Sequence, residues 1–169
     1  MTILVTGSTG TIGSHVIDIL AAKGADVRAL VRAGKNPAFP AGVKTVTGDM
    51  TDLNSMRAAL QGVTTLFLLN AVLPDELTQA LVTLDLAADA GIQRIVYFSV
   101  FNGSLFSDVP HFTAKYRLFL AGCKGVRELK TQFPKAPPAM AGVSSCSVLA
   151  GNDGDPHATT SSPYRTFDH

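Results

Sequence analysis

With 169 residues, 46% of them hydrophobic, and 14 basic residues against 13 acidic ones, the chain is long enough for one domain with a core of its own. The near balance of charge gives no pull toward nucleic acid, and no apolar run approaches the length of a membrane span. Two cysteines, Cys123 and Cys146, are not a disulfide framework, and no spacing of Cys, His and acidic residues suggests a metal site.

The chain opens on Ile3-Leu4-Val5, a short apolar run of the kind a buried parallel strand carries. Gly7, Gly10 and Gly13 follow, and then Ile12, Val16, Ile19 and Leu20 recur at helical period up to Gly24. Strand, glycine turn and helix in this order make a site for a pyrophosphate, because a helix N-terminus presents unpaired N–H groups and a partial positive charge. Glycine at 7 allows a tight turn, at 10 lets a phosphate approach the backbone, and at 13 lets helix and strand pack closely. The bland alternative is a packing turn with no ligand. No basic region or cleavage site precedes the first strand, so the expectation is a cytoplasmic protein.

Asp26 to Arg32 reads as a second strand. Its end bears on cofactor type, since an acid there suits the ribose 2′-hydroxyl of NAD and a base suits the 2′-phosphate of NADP. Arg32 stands there with Lys35 close behind and no acid, which favours NADP(H) over NAD(H); otherwise Arg32 is a solvated surface charge. Val43 to Val46 is a third strand, and Gly48-Asp49-Met50 follows, with Asp49 readable as a turn or capping residue. A helix is predicted from about Asp52 to Leu60, with Leu53, Met56 and Leu60 on one face and Gly62 as its stop. Thr64 to Leu69 is a fourth strand, apolar enough to be buried on both faces, and Asn70 lies at its carboxyl end, where open α/β sheets bind ligands. Pro74 opens the next helix, with Asp75 and Glu76 favourable in its first turn, a stripe of Leu77, Leu81, Leu84 and Ala88, and Gly91 as its end. Arg94 to Ser99 is a fifth strand. Strands alternating with helices imply a parallel sheet with right-handed crossovers.

The glycine turn, Ala29-Leu-Val-Arg32, Gly48-Asp-Met50 and Phe98-Ser-Val-Phe-Asn102 together resemble the NmrA-like group of NAD(P)-binding proteins, an atypical branch of the short-chain dehydrogenase/reductase superfamily. The resemblance covers roughly residues 1–116. It implies a Rossmann-type doubly wound sheet of order 3-2-1-4-5 over residues 1–122. It also implies cofactor contacts from Gly7, Ser8, Thr9, Gly10, Thr11, Ile12, Gly13, Arg32, Asp49, Met50, Asn70 and Lys115, with Asp49 and Met50 bordering the adenine.

The same resemblance points to His111-Phe-Thr-Ala-Lys115. Most short-chain dehydrogenases carry Tyr-x-x-x-Lys here. Their tyrosine moves the proton, and their lysine lowers its pKa and holds the nicotinamide ribose. Spacing of four puts both side chains on one helix face. Histidine replaces the tyrosine, as in several NmrA-like members; imidazole, with an unperturbed pKa of about 6.5, can serve as acid or base. In that group the replacement often accompanies cofactor sensing rather than turnover. Ser99 joins His111 and Lys115 as the candidate catalytic set, with Asn102 next nearest. Without the family, His111 is a loop histidine, Lys115 a surface charge, and Ser99 and Asn102 turn residues. Phe101, Phe106 and Phe112 line a pocket or fill core, and His15 is an exposed helix histidine.

Past Tyr116 the composition changes. Val, Ile, Leu, Met and Phe make up 41 of the first 116 residues and 11 of the last 53, which also hold five of nine prolines and both cysteines. Val126, Leu129 and Phe133 suit one short helix; beyond it neither period is visible. Residues 123–169 are therefore expected to be an atypical tail, disordered or read out of the ancestral frame, without the sixth strand and small substrate domain of the family. The outer edge of the fifth strand is then expected to be open. Two functions fit: NADPH-dependent reduction of a small carbonyl or quinone, or non-catalytic sensing of NADP(H) with a regulated protein partner. An inactive truncated fragment is the third reading.

Overall fold

The computed structural model describes residues 1–99 and 108–115, together with the backbone of two strands at 126–128 and 145–150. Five strands, β1 (Thr2–Val5), β2 (Asp26–Val31), β3 (Lys44–Thr47), β4 (Thr65–Leu68) and β5 (Arg94–Phe98), pair in parallel in the order 3-2-1-4-5. Three helices connect them: α1 (Thr11–Ala22), α2 (Leu53–Leu60) and α3 (Glu76–Asp89). This is the expected Rossmann-type, doubly wound sheet.

Successive strand residues serve opposite faces, as the pleat requires. Leu4, Leu30, Leu66, Leu68, Ile95 and Tyr97 form one core with Met56 and Leu60 of α2 and Ala80, Leu86 and Ala87 of α3. Ile3, Val5, Val27, Ala29, Val31 and Phe67 form a second core with Ile17 of α1. The crossover from β2 to β3 contains no helix; Phe39 and Val43 close over the second core instead.

Helix faces differ from the predicted stripes. In α3 the buried residues are Glu76, Ala80, Thr83, Leu86 and Ala87, while Leu81 and Ala88 are exposed. Small side chains face the sheet and let the helix lie close, and the bulky Leu77 and Leu84 pack along its flanks. In α1 Gly13 and Ile17 are buried and Ile19 is exposed, because Gly13 sets the contact face and Ile17 lies one turn on. In α2 Met56 and Leu60 are buried as expected, and Leu53, in the first turn, is exposed.

The edge of β5 is also not as expected. Strand β7 (Ser145–Ala150) pairs with it antiparallel, from Ile95 opposite Val148 to Phe98 opposite Ser145, and β6 (Val126–Glu128) pairs with β7. Val126 is thus in a strand rather than the short helix suggested by Val126, Leu129 and Phe133; the latter two lie outside the described residues. A parallel edge presents bare N–H and C=O groups, and a strand satisfies them. Ser-Cys-Ser-Val at 145–148 does carry the period-two pattern, over a stretch too short to stand out.

Candidate functional site

The order of the sheet reverses between β1 and β4, and ligands of open α/β sheets bind outside the carboxyl ends of strands at such a point. Thr6, fully buried, ties these two ends together. Its N–H donates to the Phe67 carbonyl at 3.0 Å, its hydroxyl donates to the Leu69 carbonyl at 2.9 Å, and the same oxygen accepts from Leu69 N–H at 2.8 Å.

The turn that follows is built from its glycines. Gly7 has φ +59°, a conformation that disfavours any side chain. Gly10 N–H donates to the Gly7 carbonyl at 3.0 Å, closing the turn. A Cβ on Gly13 would lie 2.1 Å from the Gly7 carbonyl oxygen, so the first turn of α1 rests directly on the backbone of the glycine turn. A Cβ on Gly10 would meet only that same oxygen, at 3.4 Å, so its outer side is open.

Helix α1 starts with no side-chain cap and no acid in its first turn. Its first N–H groups therefore have neither an intrahelical acceptor nor a local carboxylate, and they suit an anion. Thr9, Gly10 and Thr11 are exposed and Ile12 half-buried at this mouth. Ser8 is buried, and its hydroxyl donates to the Leu30 carbonyl, which joins the turn to β2 and leaves only its backbone for a ligand.

Arg32 and Lys35 are exposed just past β2. Asp49 is near Arg32, and its carboxyl is held below the usual carboxylate range, first by hydrogen bonds from the Thr51 hydroxyl at 2.7 Å and Thr51 N–H at 2.9 Å, then by the Arg32 charge. Asp49 thus forms a local turn, and Asp52 is the residue that caps α2, accepting from Asn54 N–H at 3.0 Å. Met50 lines a cavity of about 190 Å³ with Thr51, Leu53 and the first turns of α3.

At the carboxyl ends of β4 and β5, Asn70, Glu76, Ser99 and Lys115 are all buried. Asn70 Nδ2 donates to the Glu76 carbonyl at 3.4 Å and lies 4.0 Å from Met50 Sδ; its Oδ1 has no partner among the described residues. Lys115, on a helical turn over residues 110–115, is not a surface charge. Its Nζ is 3.3 Å from Glu76 Oε2 and 5.8 Å from the centre of the Tyr97 ring. His111, half-buried, with its ring centre 4.5 Å from that of Phe112 at a tilt of 48°, joins Val72, Leu73, Pro74, Glu76 and Leu77 around a cleft of about 330 Å³. His111 and Lys115 thus sit one helical turn apart, Lys115 paired with Glu76 and His111 lining the same cleft as Glu76. His15 is exposed on α1. Phe101, Asn102 and Phe106 lie outside the described residues.

The sequence profile of the NmrA-like family matches residues 1–119. The chain belongs to the NmrA-like family. Among curated relatives, the NmrA-like chain is 38% identical over 96 residues to the NAD(P)H azoreductase of Xenophilus azovorans, a match covering 56% of this chain and 34% of that one. Its fold is similar to that of the Citrobacter sp. triphenylmethane reductase complexed with NADP(H), with a TM-score of 0.60, 26% identity, and 70% and 44% of the two chains covered. It is also similar to an NADPH-dependent quinone oxidoreductase from Escherichia coli complexed with NADPH, with a TM-score of 0.62, 25% identity, and 72% and 44% covered. The matches span about a third of the length of this azoreductase and of other curated relatives.

Glu76, Thr6 and Tyr97 are the residues the sequence did not single out for the site. Glu76 reads as a helix-dipole acid beside Asp75, and only the approach of Lys115 from 39 positions away shows that it is buried.

Among the described residues no group of His, Cys, Asp and Glu is placed to hold a metal ion, and no helix is long and apolar enough to cross a membrane.

Proposed function

We propose that the chain binds NADP(H) in preference to NAD(H), with the pyrophosphate on the N-terminus of α1 and the 2′-phosphate at Arg32. The observation that carries this reading is the uncapped, acid-free start of α1 held against a left-handed Gly7, with Arg32 exposed past the neighbouring strand. The residues fit the group: the helix N-terminus supplies donors, the open side of Gly10 admits a phosphate, and Asn70 offers a buried, unpaired acceptor at the switch point. The partner of the site is a dinucleotide; nucleic acid and membrane have no place in this reading, and the compartment we assign is the cytoplasm.

The chemistry we assign is reduction of a small carbonyl or quinone, in keeping with relatives named as azoreductase, triphenylmethane reductase and quinone oxidoreductase. The bound cofactor supplies the hydride in such a reaction. On the protein side, His111 at the rim of the cleft hands a proton to the reduced oxygen, Lys115 holds the ribose, and Ser99, at the end of β5, lies on the substrate side. A second reading, a cofactor sensor, is favoured by Lys115 being held in a buried ion pair instead of being presented on the surface.

One experiment separates the two. NADPH binding is measured beside NADPH oxidation with a panel of quinones and aldehydes. Oxidation that is lost in His111→Ala establishes the reductase. Binding without oxidation establishes the sensor, and no binding refutes both.

A further inference from the structure

A lysine on a short helical turn can send its four-carbon stem to solvent and keep its charge hydrated. Lys115 does the reverse. Its side chain is 7% exposed, and that of Glu76, which it meets at 3.3 Å, is 5% exposed. An ammonium held this far from water needs a counter-charge in place.

Glu76 has no other evident task. A capping carboxylate would accept backbone N–H groups of α3, yet neither Glu76 oxygen has a hydrogen-bond partner among the described residues. The contact with Lys115 is an ion pair, not an aligned hydrogen bond, and it is the polar contact that the Glu76 carboxylate makes there. The position of Glu76 is itself fixed from two sides. Its carbonyl accepts from Asn70 Nδ2, and the first turn of a helix favours a carboxylate. The ammonium also lies over the face of Tyr97 on β5, 5.8 Å from the ring centre.

We propose that Glu76 is the positioning residue of the cofactor site, holding Lys115 at the carboxyl ends of β4 and β5 where the nicotinamide ribose is to be bound. This rests on the dinucleotide reading given above. Glu76 acts through Lys115 and does not itself contact the ligand. With Glu76 neutralised, the ammonium loses its reason to stay buried, turns outward, and takes its contact with the ribose away.

The test is a double-mutant cycle on the full chain, with NADPH dissociation constants and thermal midpoints measured for wild type, Glu76→Gln, Lys115→Met and the double variant. Loss of one charge-assisted contact gives about tenfold weaker NADPH binding in each single variant. The double variant binds no more weakly than Lys115→Met alone and melts above Lys115→Met, in which the Glu76 carboxylate is left buried without its counter-charge. If Glu76→Gln fails to fold, Lys115→Met against the double variant still reads the coupling. Unchanged affinity in Glu76→Gln overturns the proposal and leaves the cofactor reading standing. A further tenfold loss on adding Glu76→Gln to Lys115→Met overturns it as well, since Glu76 would then act on its own. No NADPH binding by wild type overturns both.

Discussion

Two glycines of the same turn should fail in different ways when given a single methyl group. At Gly13 a Cβ would lie 2.1 Å from the Gly7 carbonyl oxygen, 2.7 Å from its carbon and 2.9 Å from Ser8 Cα. All three are backbone, so no side chain can swing aside, and the start of α1 must retreat by about 1 Å to restore ordinary contact. Overpacking of this type costs about 1–3 kcal/mol. At Gly10 the backbone is extended, with φ −85° and ψ 166°, and a Cβ meets only one oxygen at 3.4 Å. Gly10→Ala should therefore leave stability within about 0.5 kcal/mol of wild type, as surface substitutions do. It does place a methyl group where the phosphate must approach, and losing even one charge-assisted hydrogen bond there, about 1.5–3 kcal/mol, weakens binding roughly tenfold or more. The assay is urea unfolding beside fluorescence titration with NADPH. Gly13→Ala is expected to lose stability and affinity together, and Gly10→Ala affinity alone. A Gly10→Ala variant that binds NADPH like wild type would show that the pyrophosphate does not lie on this turn.

Arg32→Glu should abolish or reverse the cofactor preference, raising the NADPH dissociation constant about tenfold or more while leaving NADH little changed; equal loss for both would assign Arg32 a structural task. Thr6→Val removes the hydroxyl that pairs with both Leu69 N–H and the Leu69 carbonyl, leaving buried backbone groups unpaired at a cost of about 1–3 kcal/mol in denaturant unfolding. Leu66→Ala, at a fully buried position in β4, should cost about 2–5 kcal/mol in the same measurement. For pH, the Asp49 carboxyl is depressed by Thr51 and Arg32, so its contribution is present above about pH 4, the unfolded value, and is lost as pH falls through the folded one. Asp49→Asn should flatten the acid limb of the stability curve below about pH 4, and parallel limbs for the two proteins would contradict the assignment.

What was legible in the sequence was local. Ile3-Leu4-Val5, the three glycines and the apolar run before Asn70 each carry their signal within a few residues, and the strands fall within one or two positions of where those runs place them. The helix faces were less legible. The largest apolar residues of α3 suggest a stripe through Leu81, yet close approach to the sheet selects Ala80, Thr83 and Ala87. Two features were not legible at all, because each depends on a distant partner. Glu76 is a surface acid by pattern until Lys115 descends on it. The edge of β5 is open by pattern until residues 145–150, about fifty positions on in the chain, pair with it through the backbone. Backbone pairing leaves little trace in side-chain chemistry, which is why this strand pairing was not expected.

Calorimetric titration of the wild-type chain with NADPH and with NADH tests the central claim most directly. The account predicts saturable binding of one NADPH per chain, about tenfold tighter than NADH, from a phosphate contact at Arg32 and an anion site at the start of α1. Equal affinities, or no saturable heat with either dinucleotide, would contradict it.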